Sequence, residues 1–140
     1  MLRKLIAFDV PIEDLLKIYE MYIRSRLEQS AVVWHAAITQ GEEIELERVQ
    51  KVALRLILGE NYQSYDNALI STNMESLKAR REYLCLNFAK KCVKSELSSD
   101  LFPLTENHHH EKYQVTFAKT DRLKSSAVPY MQRLLNSEAQ

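Results

Sequence analysis

An all-α fold is predicted by three features of this chain. Glycine and proline are scarce, two and three in 140 residues, which leaves little turn chemistry for a β-sandwich and room for long helices. Apolar side chains recur at spacings of three and four. Acidic residues precede basic ones along the clearest such segment, the order a helix dipole favours. The expected architecture is a small helical bundle of three long helices plus a short one. A helical domain over 1–94 is followed by a loosely structured C-terminal tail, 95–140, with a short terminal helix.

Pro11 opens the first helix, where its missing N–H costs nothing. Ile12, Leu15, Leu16, Tyr19, Tyr22, Ile23 and Leu27 then form one apolar stripe. The pattern continues after a bend near Gln29-Ser30 through Ala31, Val32, Trp34 and Ala37, and residues 38–41 read as a turn. The second helix runs from Glu42 to Leu58, with Val49, Val52, Ala53, Leu56 and Ile57 as its buried stripe and Gly59 closing it in the left-handed conformation. Tyr62 to Asn73 reads as a short helix capped by Ser64, with Tyr65, Ala68 and Leu69 inward. The third long helix, Met74 to Lys94, is expected to bury Leu77, Leu84, Phe88, Cys92 and Val93. Beyond Ser95 the apolar clusters shorten, with Tyr113 to Phe117 extended and Pro129 to Leu135 a last turn or two.

Nineteen basic and nineteen acidic side chains cancel, so any electrostatic partner must be met by a local patch. No apolar run approaches the 18 or so residues a membrane span needs. The start, MLRKLIAFDVP, is too short in apolar length for a signal peptide. Cys85 and Cys92, seven apart on a helix, stand about 10 Å from each other along the axis, too far for a disulfide. Both read as reduced thiols of a protein in an intracellular, reducing compartment, nucleus or cytoplasm undecided.

Catalytic patterns are thin. With only Gly41 and Gly59 there is no phosphate-cradling loop, and no serine lies in a nucleophile-elbow context. Asp9, Asp14, Asp66, Asp100 and Asp121 form no metal-binding spacing. The His108-His109-His110 run reads as a solvated loop, because the cysteines lack zinc-site spacing; no metal or cofactor is expected. His35 reads as a half-buried helix residue. The basic positions say more. Arg48, Lys51 and Arg55 share one face of the second helix, and the third carries Lys78, Arg80, Arg81, Lys90, Lys91 and Lys94 against Glu82. Such a surface suits phosphates, or is a solvated face balanced by nearby glutamates.

Three phrases carry a resemblance: LLKIYEMYIRSRLEQSAVVWHAAIT, ELERVQKVALRLILG and YDNALISTNMESLKARREYLCLNFAKK. In order and spacing they resemble the region after the polymerase core in non-LTR retrotransposon reverse transcriptases, the jockey-like RNA-directed DNA polymerases of mobile elements. Tyr19 to Arg24, Leu27 to Trp34, Leu46 to Gly59 and Ala68 to Arg81 carry it. Phe102-Pro103, Lys112 to Arg122 and Pro129 to Asn136 look like the family's closing phrase. The sequence departs from the family at His35-Ala36 and at His108 to His110, where arginine-rich sequence is usual. Met1 stands where the family has an interior position.

The resemblance implies a thumb-like region beside an RNA–DNA primer–template duplex. Arg48, Lys51, Arg55, Lys78, Arg80 and Arg81 would be the residues available for phosphates, with Arg24 and Arg81 alternatively pairing with Glu28 and Glu82. The family's paired aspartates, which hold divalent metal (Mg) for nucleotidyl transfer, are absent from these 140 residues, so no polymerase activity is expected of this chain. A rival expectation is a helical protein-interaction module or a decayed remnant without activity. It would meet the missing palm, or itself, through exposed Leu2, Leu5, Ile6 and Phe8. A third reading is an independent metal-dependent enzyme.

Overall fold

The structure is a computed structural model and describes residues 1–105 and 112–138. Among the described residues every named element is a helix, and there is no named strand. The chain divides into two compact units, one of residues 1–29 and 39–80, the other of 30–38 and 81–138, with the chain terminus. That division differs from the expected one after residue 94.

In the first unit, α1 (Leu2–Ile6) and α2 (Ile12–Ile18) lead into a π-helical segment, Tyr19–Arg24, and then α3 (Ser25–Glu28). The wider π turn has a physical consequence for the expected stripe. Spacing i to i+5 rotates every later side chain relative to an α pattern. Leu15 and Tyr19 are buried as expected, whereas Tyr22 is 64% exposed and Arg24 is turned in. Arg24 donates to Glu20 and Glu28, both at 2.9 Å. The pairing of Arg24 with Glu28 was one of the expected alternatives.

The longest helix, α5 (Gln40–Leu58), starts earlier than expected. Thr39 and Glu42 cap it reciprocally: the Glu42 N–H donates to Thr39 Oγ1 at 3.3 Å and the Thr39 N–H to Glu42 Oε2 at 2.8 Å. This is the capping-box arrangement, and the Thr39 hydrogen bonds hold the Glu42 carboxyl below its usual range. Gly59 ends the helix at positive φ, but at φ 52°, ψ −119° it lies outside the expected left-handed helical region, in a conformation open chiefly to glycine. The buried stripe is Gln50, Ala53, Leu54 and Ile57. Val49 and Val52 are 41% and 48% exposed, so the expected stripe is corrected by about a third of a turn. Polar Gln50 is fully buried at its centre.

Ser64 caps α6 (Tyr65–Thr72) as expected, accepting from the Asn67 N–H at 3.2 Å. Asn73, at φ 52°, ψ 39°, closes it in the left-handed conformation. The core of this unit joins Leu2, Leu15, Tyr19, Leu54, Ile57 and Met74. Leu5 and Ile6 pack against it, so of the expected N-terminal apolar patch only Phe8 stays largely exposed, at 80%.

The second unit begins at Ser30, whose φ of 54° makes the expected bend before α4 (Ala31–Trp34) and a 3₁₀ turn, His35–Ala37. It takes α7 (Leu77–Lys94) from Arg81 onward, then α8 (Asp121–Lys124) and α9 (Ala127–Glu138). Phe88, expected inward, is 44% exposed, whereas Cys85 and Ala89 are buried. Both cysteines are free. Burial pushes the Cys85 thiol up to about 11.

The segment expected to be a loose tail is tied down. Phe102, Tyr113, Met131 and Leu135 form a core with Ala89. Leu104 and Tyr113 pair as an antiparallel bridge. Asn136 grips the Tyr113 backbone twice, accepting from its N–H and donating to its carbonyl, each at 2.9 Å. One turn earlier, Gln132 accepts from the Thr116 N–H and donates to the Leu101 carbonyl, both at 2.7 Å. Asn136→Leu is therefore expected to leave two buried backbone groups unpaired. At about 1–3 kcal/mol for each such group, loss of protection at the Tyr113 amide in hydrogen exchange should accompany a lowered urea midpoint. Unchanged protection would refute the clamp.

Candidate nucleic-acid interface

Helix α5 separates its two chemistries by face. Arg48, Lys51 and Arg55 lie on its exposed side, and the inward side carries Gln50, Ala53, Leu54 and Ile57. Arg48 stands 3.5 Å from Glu45, both side chains largely exposed, a contact of small energetic value. Lys51 Nζ lies 4.9 Å from the centroid of the Tyr65 ring, close enough for a cation–π attraction. Lys78 pairs with Glu43 at 3.3 Å and keeps 56% of its side chain exposed.

Arg80 and Arg81 do not extend that surface in the same way. Arg80 Nε is 3.4 Å from Glu28 Oε1, so it serves as a tie from α7 to α3. Arg81 is completely buried. Its Nε–H donates to His35 Nδ1 at 3.3 Å, and its guanidinium lies 5.7 Å from the Trp34 ring centroid. His35 Nε2 in turn meets the Tyr130 hydroxyl at 3.1 Å. Arg81 is thus corrected from a phosphate candidate to a core residue of the second unit. Its Nε–H meets His35 because α4 and the turn after it place an imidazole on that side of α7.

Behind Lys51 lies a buried polar network that apolar periodicity does not reveal. The Tyr19 hydroxyl donates to Gln50 Oε1 at 2.9 Å. The Gln50 amide donates to the Tyr65 hydroxyl and to the Glu75 carbonyl, each at 2.9 Å. Tyr65 donates to Glu47, whose same oxygen accepts from the Leu77 N–H at the start of α7 at 3.2 Å. A cleft of about 300 Å³ opens beside this network, lined by Glu43, Ile44, Glu47, Lys51, Tyr65 and Lys78. Its signal in the sequence is faint: Glu43, Glu47 and Lys51 recur every four residues, but Tyr65 and Lys78 arrive only through the fold.

Burial holds the Tyr19 and Tyr65 hydroxyls above the ordinary tyrosine range, and the Glu47 hydrogen bond raises Tyr65 further. Each keeps its proton more tightly folded than unfolded. Their stabilising contribution is therefore complete below about pH 10, the ordinary tyrosine value, and is lost as pH rises beyond it. Urea midpoints measured upward from pH 9 should fall, and Tyr19→Phe should flatten the fall. An equal slope in that variant would refute the assignment.

Among the described residues no three His, Cys, Asp or Glu side chains converge on a metal position, and His108 to His110 lie outside those residues. No helix of the described residues is long and apolar enough to cross a membrane. No family model, curated protein or solved structure matches the chain.

Proposed function

We propose that this chain is the non-catalytic helical region of a retroelement reverse transcriptase and supports an RNA–DNA duplex by its phosphates. The observation that carries the reading is the outward placement of Arg48, Lys51 and Arg55 on one 19-residue helix. From Arg48 to Arg55 the helix rises about 10 Å, so the three cations are spread along a line rather than gathered at one point. Contacts of this kind position a duplex without reading its bases. Lys78 lies beside Lys51 around the cleft, and Arg81 has no part in the surface.

The test is fluorescence anisotropy of the purified chain with an RNA–DNA hybrid across a salt series. Affinity should fall linearly on logarithmic axes. The combined Arg48→Ala, Lys51→Ala, Arg55→Ala variant should reduce the slope by about 2–3, nearly one for each phosphate left without its cation. An absence of binding at low salt would end the proposal. A second reading, a protein-interaction helix, is favoured by Ile44, Val49 and Val52, which are 60%, 41% and 48% exposed. Binding that survives the triple variant and fails when Val49 and Val52 become Ser would select it.

A further inference from the structure

In the second unit, His35 is a buried titratable group that duplex support does not use. It is 7% exposed, and the Arg81 beside it is fully enclosed. Their contact fixes where the imidazole carries its proton. A guanidinium nitrogen only donates, so His35 Nδ1, which receives the Arg81 Nε–H at 3.3 Å, presents a lone pair. The ring proton therefore sits on Nε2 and is given to the Tyr130 hydroxyl at 3.1 Å. The Tyr130 ring meets the imidazole edge-on, with centroids 5.4 Å apart. One neutral tautomer thus joins the turn after α4 to α7 and to α9.

A second proton would have to go on Nδ1. There it would face the Arg81 Nε–H donor against donor, with two positive charges in contact away from water. Helix α4 carries no charged side chain. On α7, Glu82 follows Arg81 about 100° round the helix, and the Cys85 thiol, which feels both charges, is pushed up to about 11 and stays neutral. On α9, Arg133 directs its guanidinium to the Lys124 carbonyl at 2.8 Å. We propose that His35 is a proton-sensitive latch. Neutral, it holds α9 against α4 and the turn that follows; protonated, it releases α9, and with it the grip of Gln132 and Asn136 on residues 113–116. The unfolded chain takes this proton near the ordinary histidine value of about 6.5, and the latched state resists it. The latch is therefore complete above that pH and is lost as pH falls below it. At one unit below, the equilibrium is shifted about tenfold toward release.

The test is amide hydrogen exchange of the whole chain from pH 7.5 to 5.5, expressed as protection so that the intrinsic pH dependence of exchange cancels. Carboxylates ordinarily titrate at about 4, so this window isolates the imidazoles. Protection at Tyr113 should fall about tenfold across it, while Leu54, in the core of the first unit, keeps its protection. Changing His108, His109 and His110 together to Gln leaves His35 as the chain's one imidazole and should alter none of this. In that background His35→Asn, whose side-chain oxygen accepts from Arg81 but does not titrate, should abolish the pH dependence. If His35→Asn fails to fold, the imidazole resonances of the tail variant decide. Titration that coincides with the loss of Tyr113 protection supports the latch, and titration near pH 6.5 with protection intact overturns it. So does equal protection at both ends of the window, a loss shared equally by Leu54, or a pH dependence that survives His35→Asn.

Discussion

Gln50→Leu is expected to destabilise the first unit by about 3–5 kcal/mol, although leucine is similar in size and fully apolar. Gln50 is completely buried and makes hydrogen bonds to Tyr19, Tyr65 and the Glu75 carbonyl, each at 2.9 Å. The substitution leaves the Tyr19 hydroxyl without its acceptor and the Glu75 carbonyl without this donor. Stranding a buried polar group costs about 1–3 kcal/mol, and three partners are affected at once. The gain from a more apolar side chain is smaller than that sum. Urea unfolding followed by circular dichroism measures the cost. A double-mutant cycle separates its origin: adding Tyr19→Phe removes one stranded hydroxyl and should recover about 1–2 kcal/mol. A cost below 1 kcal/mol, or no recovery, would mean that the network contributes little.

The second large effect is expected at Arg81. Arg81→Met should cost about 1.5–3 kcal/mol, the range for losing a buried hydrogen bond made by a charged group. It removes the donor to His35 Nδ1 and the cation near the Trp34 face. Arg81→Lys should not restore stability, because an ammonium on a flexible stem reproduces neither the Nε–H geometry nor the planar stacking of a guanidinium. Trp34 is the chain's single tryptophan, so its fluorescence reports the change directly. A phosphate-contacting Arg81 would behave in the opposite way: its replacement would lower the salt slope of nucleic-acid binding and leave the unfolding midpoint alone. That pattern would overturn the core assignment.

Helix existence was readable where local chemistry speaks for itself. The Ser64 cap, the Gly59 terminus and the bend at Ser30 all arise from residues whose preferred backbone or side-chain geometry is local. The capping box of Thr39 and Glu42 is equally local, yet a start at Glu42 lies two residues inside the helix it opens. Register was harder. Val49 and Val52 look like core residues by type, but a glutamine occupies the inward position. Apolarity ranks a buried glutamine as surface because it counts transfer cost and not the partners that offset it. The π segment at Tyr19–Arg24 defeated the first stripe for a related reason: a fixed period cannot anticipate a turn of different width.

For the candidate interface, spacing alone determined that Arg48, Lys51 and Arg55 share a helix face, since that follows from 3.6 residues per turn. The all-α class followed likewise from the scarcity of Gly and Pro and from apolar spacing. Tertiary structure decided which cations face water and which do not. Arg80 and Arg81 are neighbours of identical chemistry, yet one ties to Glu28 and the other is enclosed with His35 and Trp34. It also assembled the cleft from α5, α6 and the start of α7. Adjacent helix positions diverge by about 100°, so burial and partners depend on what each direction meets, and segments distant in the chain supply that.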